Sequence, residues 1–230
     1  MIVQARATSS RLPGKVLLDL AGKPMLARQL ERLKRCNSVD EIVVATTSNA
    51  TDDPVVAIAD DCDVRWYRGG EADVLKRYID AARDAAADVV VRVTADCPLI
   101  DPGVVDLVVT TLATRRGDCD YASNVLERTY PQGLDCEALY RDVLERVHRL
   151  GVSQAAREHV TWFIYRERPE LFLLHAVKDL QDNADLHWTV DTAADLDFVR
   201  TLYTALGLAE RHLPYEDCLA YVRSHPELQR

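Results

Sequence analysis

The sequence predicts an α/β protein built on a mainly parallel sheet, with helices covering both faces of the sheet. Over the first two-thirds of the chain, short apolar runs of strand length alternate with longer amphipathic runs. The strongest runs, Glu41 to Thr47 and Asp88 to Thr94, are rich in valine, as strands buried on both faces are. Because strands that alternate with helices form parallel sheets, we expect this architecture for most of the chain.

Ahead of Asp96 the chain contains four predicted strands and three predicted helices. The strands are Ile2 to Ala5, Glu41 to Thr47, Val64 to Tyr67 and Asp88 to Thr94. The helices are Pro24 to Cys36, Asp52 to Asp61 and the alanine-rich stretch Glu71 to Ala87. Pro24 suits a first helical turn, where no backbone N–H donor is needed.

Beyond Asp118 the regular alternation stops. Further strands are predicted at Tyr121 to Asn124, Leu134 to Tyr140, Leu171 to Val177 and His187 to Val190. Further helices are predicted at Tyr140 to Leu150, Ser153 to Arg168, Ala193 to Leu206 and Tyr215 to Ser224. Because the sequence has no linker, repeat or low-complexity segment, we expect one domain over residues 1–230 with an inserted subregion at about 120–185.

Composition narrows the class of protein. The chain has 28 Lys and Arg against 37 Asp and Glu, a net charge of −9, which argues against a sequence-independent nucleic-acid binder. The sequence contains no run of about 18 apolar residues, and no signal-peptide pattern follows Met1. Six scattered cysteines without a C-x-x-C pair favour reduced thiols. We therefore expect a soluble cytoplasmic protein that acts on neither nucleic acid nor a membrane.

The loop after the first strand concentrates cations and hydroxyls at the edge where open α/β sheets bind ligands. Between Arg6 and Lys15 it contains Ser9, Ser10 and Arg11. Guanidinium and ammonium groups bind phosphate oxygens, and hydroxyls add further donors. Because the loop matches neither common glycine-rich phosphate motif, its residues alone predict either a phosphate site or a solvated basic loop.

Two aspartates follow predicted strands. Asp96 comes at the end of the strongest strand, before a proline turn, where a carboxylate can hold a divalent cation beside a bound phosphate. Asp191 follows the predicted strand His187 to Val190 and is either structural or the second ligand of such a site. In the second case, Asp191 and Asp96 together would complete a Mg²⁺ site.

Other acidic residues have structural interpretations. Asp101 precedes a helix-starting proline and is predicted to be an N-cap. Thr192 and Asp195 have the spacing of a capping box. Asp73 and Arg77 stand four residues apart on a predicted helix, which predicts an exposed ion pair worth about 0.3–0.5 kcal/mol.

A third acidic segment lies in the inserted subregion. If Leu134 to Glu137 is a strand, Asp135 and Glu137 share one face of it, because side chains alternate along a strand. Such a pair can bind sugar hydroxyls or form a solvated edge.

Together these segments resemble the cytidylyltransferases that activate acidic sugars as CMP conjugates. The opening loop through Gly22-Lys23-Pro24-Met25 resembles that of the CMP-Kdo synthetases. The whole chain is more similar to the spore-coat polysaccharide cytidylyltransferases. The matching motifs are, in chain order, QARATSSRLPGKVL, RGGEADVLKRY, RVTADCPLID, YPQGLDCE, REHVT and WTVDTAADL.

The resemblance implies a three-layer nucleotide-diphospho-sugar transferase (GT-A-like) fold and Mg²⁺-dependent transfer of CMP from CTP to an acidic sugar. It implies Asp96 and Asp191 as metal ligands, and these two with Arg11 and Lys15 as catalytic residues. The nucleotide-binding set that it implies is Ala5, Arg6, Ser9, Ser10, Arg11, Lys15, Arg68 and Arg77. The sugar-binding set is Gln132, Asp135, Glu137 and His159. It also implies a homodimer formed through the inserted subregion.

The sequence departs from the family pattern at Ala7-Thr8, where relatives often have Met-Gly, and at Ala193, where proline is frequent. The first strand begins almost at Met1, which favours a natural start a few residues upstream.

Three other functions remain open. A pyrophosphorylase would use a sugar 1-phosphate on the same fold. A glycosyltransferase usually carries a D-x-D at the metal strand, whereas Asp96 is followed by Cys97-Pro98. A catalytically silent paralogue would have no need to retain Arg11, Lys15, Asp96 and Asp191 together.

Overall fold

Seven strands form the central sheet in the computed structural model, which describes residues 1–228. The strands of the chain are β1 (Ile2–Gln4), β2 (Asp19–Leu20), β3 (Lys23–Pro24), β4 (Val43–Thr47), β5 (Arg65–Gly69), β6 (Val89–Thr94), β7 (Tyr121–Ser123), β8 (Glu137–Tyr140) and β9 (Leu174–Ala176). The sheet order is β5-β4-β1-β6-β8-β7-β9, and β2 with β3 form a separate small hairpin.

Eight α-helices accompany the strands within residues 1–228. They are α1 (Met25–Leu33), α2 (Asp53–Asp61), α3 (Val74–Asp84), α4 (Pro102–Thr114), α5 (Arg141–Leu150), α6 (Gln154–His159), α7 (Ala193–Leu206) and α8 (Tyr215–Ser224). None of the helices in this part of the chain is long and apolar enough to cross a membrane.

The sheet is mainly parallel. β1 pairs in parallel with β4 and with β6, and β4 pairs in parallel with β5. β8 runs antiparallel to β6 and β7, and β9 is parallel to β7. Helices pack on both faces, so the predicted α/β class and layered architecture are confirmed.

Alternate residues of each central strand supply the two apolar layers. Val3 packs with Leu26 and Leu30 of α1 in one buried cluster. Ile2 faces the other way and packs with Leu75 and Ile79 of α3. Each such buried side chain contributes roughly 1.5–3 kcal/mol, so the first strand is held firmly on both faces.

The strand order places a crevice between two particular loops. The chain moves from β1 outward to β4 and β5 and then returns to β6 on the other side of β1. The loops after β1 and β6 therefore leave the sheet side by side and in divergent directions, which is where open α/β sheets bind ligands.

Some predicted elements are different in the structure. His187 to Val190 is not a strand, because its sheet pairing is limited to one bridge between Gln132 and His187. The helix predicted over Ser153 to Arg168 is interrupted after His159, where Val160 has φ 53° and ψ −67°. A short π-helix, Phe163–Glu167, then follows.

Other predicted strands and helices are shorter than expected. Leu134 to Tyr140 forms a strand only from Glu137 onward, and Leu171 to Val177 only over Leu174–Ala176.

The two predicted helix caps are confirmed. Asp101 accepts a hydrogen bond from the Val104 N–H at 3.1 Å, and the capping box over residues 192–195 is formed.

Candidate active site

A cleft of about 550 Å³ lies at the carboxyl ends of β1 and β6, within the size range of small-ligand sites. Its walls come from the opening loop, the start of α3, the end of β6, helix α6 and the segment before α7. The lining residues are Gln4, Arg6, Ser9, Ser10, Arg11, Lys15, Val16, Glu71, Ala72, Val74, Arg92, Thr94, Ala95, Asp96, Gln154, Glu158, His159 and Asp191.

Lys15 is the centre of the charged cluster in this cleft. Its side-chain Nζ lies 3.0 Å from Asp96 Oδ2, 3.0 Å from Asp191 Oδ1 and 2.8 Å from the Val190 carbonyl oxygen. The residue is only 9% exposed. Buried lysines require such partners, because an unpaired charge out of water is costly. The arrangement brings two carboxylates that are far apart in sequence to one point.

Asp96 is held as an anion. Burial opposes its ionisation, but the Lys15 ammonium and the Thr94 hydroxyl, which donates at 2.6 Å to Asp96 Oδ1, together keep the pKa of Asp96 below its usual value. Asp191 is positioned by Asp195, whose carboxylate accepts from the Asp191 N–H at 3.1 Å. Both carboxylates are therefore fixed before a ligand arrives.

A buried carboxylate anchors the start of the opening loop. Asp52 is fully buried and accepts a hydrogen bond from the Ala7 N–H at 2.7 Å. The Gly14 N–H donates to the Ala7 carbonyl at 2.8 Å, and Gly14 has φ 69°, a conformation that glycine adopts readily. The loop thereby turns back to place Lys15 beneath it.

Two arginines on the rim of the cleft form ion pairs. Arg11 is two-thirds exposed and reaches Asp191 Oδ1 at 2.8 Å. Glu71 lies 3.5 Å from Arg6 Nη1 and accepts from the Thr8 hydroxyl at 3.1 Å. The Arg6–Glu71 pair is exposed on both sides and contributes little to stability, so Arg6 can exchange its carboxylate partner for phosphate oxygens at small cost, whereas Arg11 pairs with the buried Asp191.

Eight of the residues predicted from the sequence lie together in the cleft. They are Arg6, Ser9, Ser10, Arg11, Lys15, Asp96, His159 and Asp191. Six others lie outside its walls, namely Ala5, Arg68, Arg77, Gln132, Asp135 and Glu137.

Arg68 and Arg77 are occupied elsewhere. Arg68 donates to the Thr47 carbonyl at 2.8 Å and pairs with Asp53 at 2.7 Å. Arg77 is buried and donates to the Gly70 carbonyl at 2.7 Å. The ion pair predicted between Asp73 and Arg77 is therefore wrong.

The Asp73 carboxylate instead caps α3. It accepts from the Lys76 N–H at 2.8 Å and lies 3.4 Å from Arg157. An N-cap position of this type satisfies a helix N–H that has no partner within the helix.

The acids of the inserted subregion do not share a strand face. Asp135 precedes β8 and forms a bidentate pair with Arg128 at 2.6 and 2.8 Å. Glu137 is buried and pairs with Arg92 at 2.6 Å. Glu137 thus contacts a residue of the cleft wall while lying behind that wall itself.

Several cleft residues were missed by sequence reasoning, including Gln4, Glu71, Arg92, Gln154 and Glu158. Arg92 had a readable signal, since it is the one charge within the run VVVRVT of β6. The others carry no distinctive pattern, because their importance comes from packing between distant segments.

The donor set of the cleft fits a hard divalent cation. Asp96 and Asp191 both direct an oxygen at the position that Lys15 Nζ approaches. Mg²⁺ is commonly bound by one or two carboxylates together with substrate phosphates and water. No group of three or more potential ligand side chains occurs within residues 1–228, so water or substrate phosphate would supply the remaining ligands of Mg²⁺ at this pair.

Comparison with solved structures defines the class of protein. The chain superposes on a cytidylyltransferase from Leptospira borgpetersenii with a TM-score of 0.93, 30% sequence identity, and coverage of 99% of this chain and 94% of that one. Its open sheet, with a charged cleft at the carboxyl ends of the strands, is that of a nucleotidyltransferase. The chain belongs to the cytidylyltransferase family, whose model matches residues 1–216.

Two curated relatives agree with this assignment. The spore coat polysaccharide biosynthesis protein SpsF of Bacillus subtilis is 29% identical over 213 residues, covering 90% of this chain and 86% of that protein. The 3-deoxy-manno-octulosonate cytidylyltransferase of Anaeromyxobacter sp. strain K is 39% identical over 176 residues, covering 70% of each. The chain is therefore a CTP-dependent nucleotidyltransferase, and the resemblance stated from its motifs is confirmed.

Proposed function

We propose that this protein transfers CMP from CTP to a hydroxyl of an acidic sugar of the ulosonic or nonulosonic type, with Mg²⁺ as cofactor, for the synthesis of a surface polysaccharide or glycoconjugate. The observation that carries the proposal is the convergence of Lys15, Asp96 and Asp191 at one point of the cleft. Its relatives act on a 3-deoxy-manno-octulosonate acceptor or take part in spore coat polysaccharide synthesis.

The reaction is an in-line displacement at the α-phosphorus of CTP. The sugar hydroxyl loses its proton to solvent as its oxygen forms the new bond to the α-phosphorus, the bond from that phosphorus to the bridging oxygen of the β-phosphate breaks, and pyrophosphate leaves with that oxygen. Catalysis of phosphoryl transfer depends mainly on positioning and on charge neutralisation. Lys15 and Arg11 stabilise the charge that grows on pyrophosphate.

The charge balance of the cleft supports a bound cation. Its walls contain four cationic side chains, Arg6, Arg11, Lys15 and Arg92. They also contain four carboxylates, Glu71, Asp96, Glu158 and Asp191. The protein's own charges therefore cancel, and a triphosphate needs additional positive charge. Mg²⁺ held by Asp96 and Asp191 would supply it and would polarise the phosphate oxygens that it contacts.

Nucleotide binding is tested by thermal unfolding with CTP, UTP, dTTP, GTP and ATP, each with and without Mg²⁺. A ligand at about 100 times its Kd adds about 2.7 kcal/mol, enough to raise the Tm of a chain of this size by several degrees. We expect a shift selective for CTP that weakens in Asp96→Asn. Selectivity for another nucleotide would favour a pyrophosphorylase, and no shift with any nucleotide would favour a silent paralogue.

Acceptor class is tested by pyrophosphate release with CTP, Mg²⁺ and a panel of acidic sugars. We expect release with at least one of them, and a product that contains one phosphorus atom per sugar. Release only with sugar 1-phosphates, giving a product with two phosphorus atoms, would contradict the proposal. The homodimer and the cytoplasmic location remain predictions, the first testable by light scattering.

A further inference from the structure

Two polar side chains lie on the floor of the cleft, one on each of its central strands. In the parallel pairing of β1 with β6, Ile2 lies beside Arg92 and Gln4 beside Thr94. Paired residues of a parallel sheet project to the same face, as do residues two apart along a strand. Gln4 and Arg92 are therefore diagonal neighbours, and both line the cleft.

Each of these side chains has a buried polar atom without a hydrogen-bond partner. Among residues 1–228, Gln4 Oε1 and Arg92 Nε both lack one. An unpaired buried donor or acceptor is destabilising, so native proteins rarely keep one without a reason. Both atoms are themselves out of contact with solvent, so they mark two incompletely paired side chains, and a polar ligand would reach the part of each side chain that lines the cleft.

Arg92 is oriented from behind by the inserted subregion. Its Nη1 donates to Glu137 Oε1 at 2.6 Å, and the other oxygen of Glu137 accepts from the Thr161 hydroxyl. Burial lowers the pKa of the Arg92 guanidinium, but the Glu137 carboxylate together with Tyr78, Tyr121 and Tyr165 raises it by more, so Arg92 stays charged. The side chain is 16% exposed, and that exposed part belongs to the cleft wall.

Thr161 is itself set by a strained turn. Val160 has φ 53° and ψ −67°, and the Thr161 N–H donates to the His159 carbonyl across it. This is the rare form of the γ-turn, costly for a branched residue, and such strain concentrates at functional sites. The turn brings His159 to the cleft and the Thr161 hydroxyl to Glu137.

The other three cationic side chains of the cleft already have a role in the proposed function. Arg6, Arg11 and Lys15 belong to the opening loop, beside the two aspartates, and serve the triphosphate in the proposed function. Arg92 comes from the body of β6 and faces the cleft from the side of β8. It is the cation left for a second anionic group.

We propose that Arg92 binds the carboxylate of the acidic sugar and that the Gln4 amide binds a hydroxyl of the same sugar. Glu137 and Thr161 act as positioning residues through Arg92. This inference rests on the proposed function, because it assigns the acceptor site of that reaction. It predicts that the enzyme distinguishes an acid from its neutral carboxamide through one side chain.

The test pairs an enzyme variant with a ligand variant. The acceptor is the faster of 3-deoxy-manno-octulosonate and N-acetylneuraminate, compared with its own carboxamide. We expect the wild-type protein to prefer the acid by at least about tenfold in kcat/KM, the effect of one charge-assisted hydrogen bond. In Arg92→Gln the preference disappears, while the KM for CTP stays within about twofold.

Three further variants separate recognition from folding. Arg92→Lys keeps the charge, and we expect it to retain part of the preference for the acid. Gln4→Met raises the KM for both sugars equally and leaves the preference unchanged. Arg146→Gln breaks a half-buried pair with Asp120 away from the cleft and controls for the loss of an arginine ion pair.

The outcomes discriminate between the two proposals. If Arg92→Gln has a lower Tm but keeps the full preference for the acid, Arg92 is structural and this inference is overturned, while the proposed function stands. If the wild-type protein binds CTP but uses neither acid, the acceptor class is wrong and the assignment of Arg92 falls with it. Loss of the preference in Arg92→Gln alone supports the inference.

Discussion

Asp52 holds the Ala7 backbone N–H at 2.7 Å across a sequence separation of 45 residues. The same carboxylate, which is fully buried, also accepts from the Thr47 hydroxyl. It therefore fixes the start of the opening loop to the end of β4. This contact makes the position of Lys15 and Arg11 depend on a residue that no phosphate would touch.

We expect Asp52→Ala to lower the free energy of unfolding by about 2–3 kcal/mol, because it leaves buried donors without an acceptor. The KM for CTP should also rise as the loop loses its anchor. Urea unfolding and steady-state kinetics measure the two effects. Asp53→Ala, which removes an exposed carboxylate paired with Arg68, is the matched control and should change neither. An unchanged KM in Asp52→Ala would show that the loop is held by other contacts.

Lys15 occupies the position where a cation would meet both carboxylates. Saturating Mg²⁺ should raise the Tm of Lys15→Gln by at least about 3 °C more than it raises the Tm of the wild-type protein, because the competing ammonium group has been removed. Differential scanning fluorimetry without nucleotide measures this directly. Lys23→Gln removes an exposed ammonium from another surface and should respond as the wild-type protein does. If Lys15→Gln shows no greater response, Asp96 and Asp191 do not form a cation site.

The lowered pKa of Asp96 predicts an acid-dependent contribution to stability. Protonation of Asp96 occurs below its ordinary value of 3.8 in the folded protein. The stabilisation from its ionised form is therefore complete above pH 3.8 and is lost as the pH falls through the lower folded value. We expect the stability difference between the wild-type protein and Asp96→Asn to be constant from pH 7 to about pH 5 and to shrink below about pH 4. A difference that grows on acidification would contradict the ionised assignment.

Gly133 holds the segment that leads to Asp191. It has φ 112°, and an added Cβ would lie 2.7 Å from the Trp188 carbonyl carbon and 2.8 Å from the Thr189 nitrogen. We expect Gly133→Ala to cost more than about 2 kcal/mol, from backbone strain and from displacement of that segment. Gly117 has a similar φ of 109° with no atom near the added Cβ, so Gly117→Ala reports the strain alone. Equal losses in the two variants would rule out the contact with Trp188.

The sequence predicted the sheet where strand identity depends on local composition. β4 and β6 are valine-rich runs between helical segments, and the aspartate after β6 could be located from the strand end alone. The segment His187 to Val190 was also predicted to be a strand, yet Trp188 and Val190 are buried by loop packing rather than by strand pairing. A loop whose side chains are buried without backbone pairing has the same residue pattern as a short buried strand.

The candidate site was only partly readable for a related reason. Asp96 follows the end of β6, and Lys15 belongs to the loop that follows β1, positions that topology alone makes informative. Arg68 and Arg77 sit in an equally basic motif, but their guanidinium groups satisfy nearby carbonyls. Which arginines serve a ligand and which serve the backbone is decided by distances of a few ångströms, and spacing along the chain does not encode them.

The contact between Lys15 and Asp191 joins residues 176 positions apart. Because contacts between such distant residues form only after a large loop has closed, the charged cluster can appear only when most of the chain has been synthesised and folded. No shorter fragment that lacks the segment before α7 would contain both carboxylates. Activity should therefore require nearly the whole polypeptide. A single cut within it, if the pieces separate, would abolish activity completely rather than reduce it.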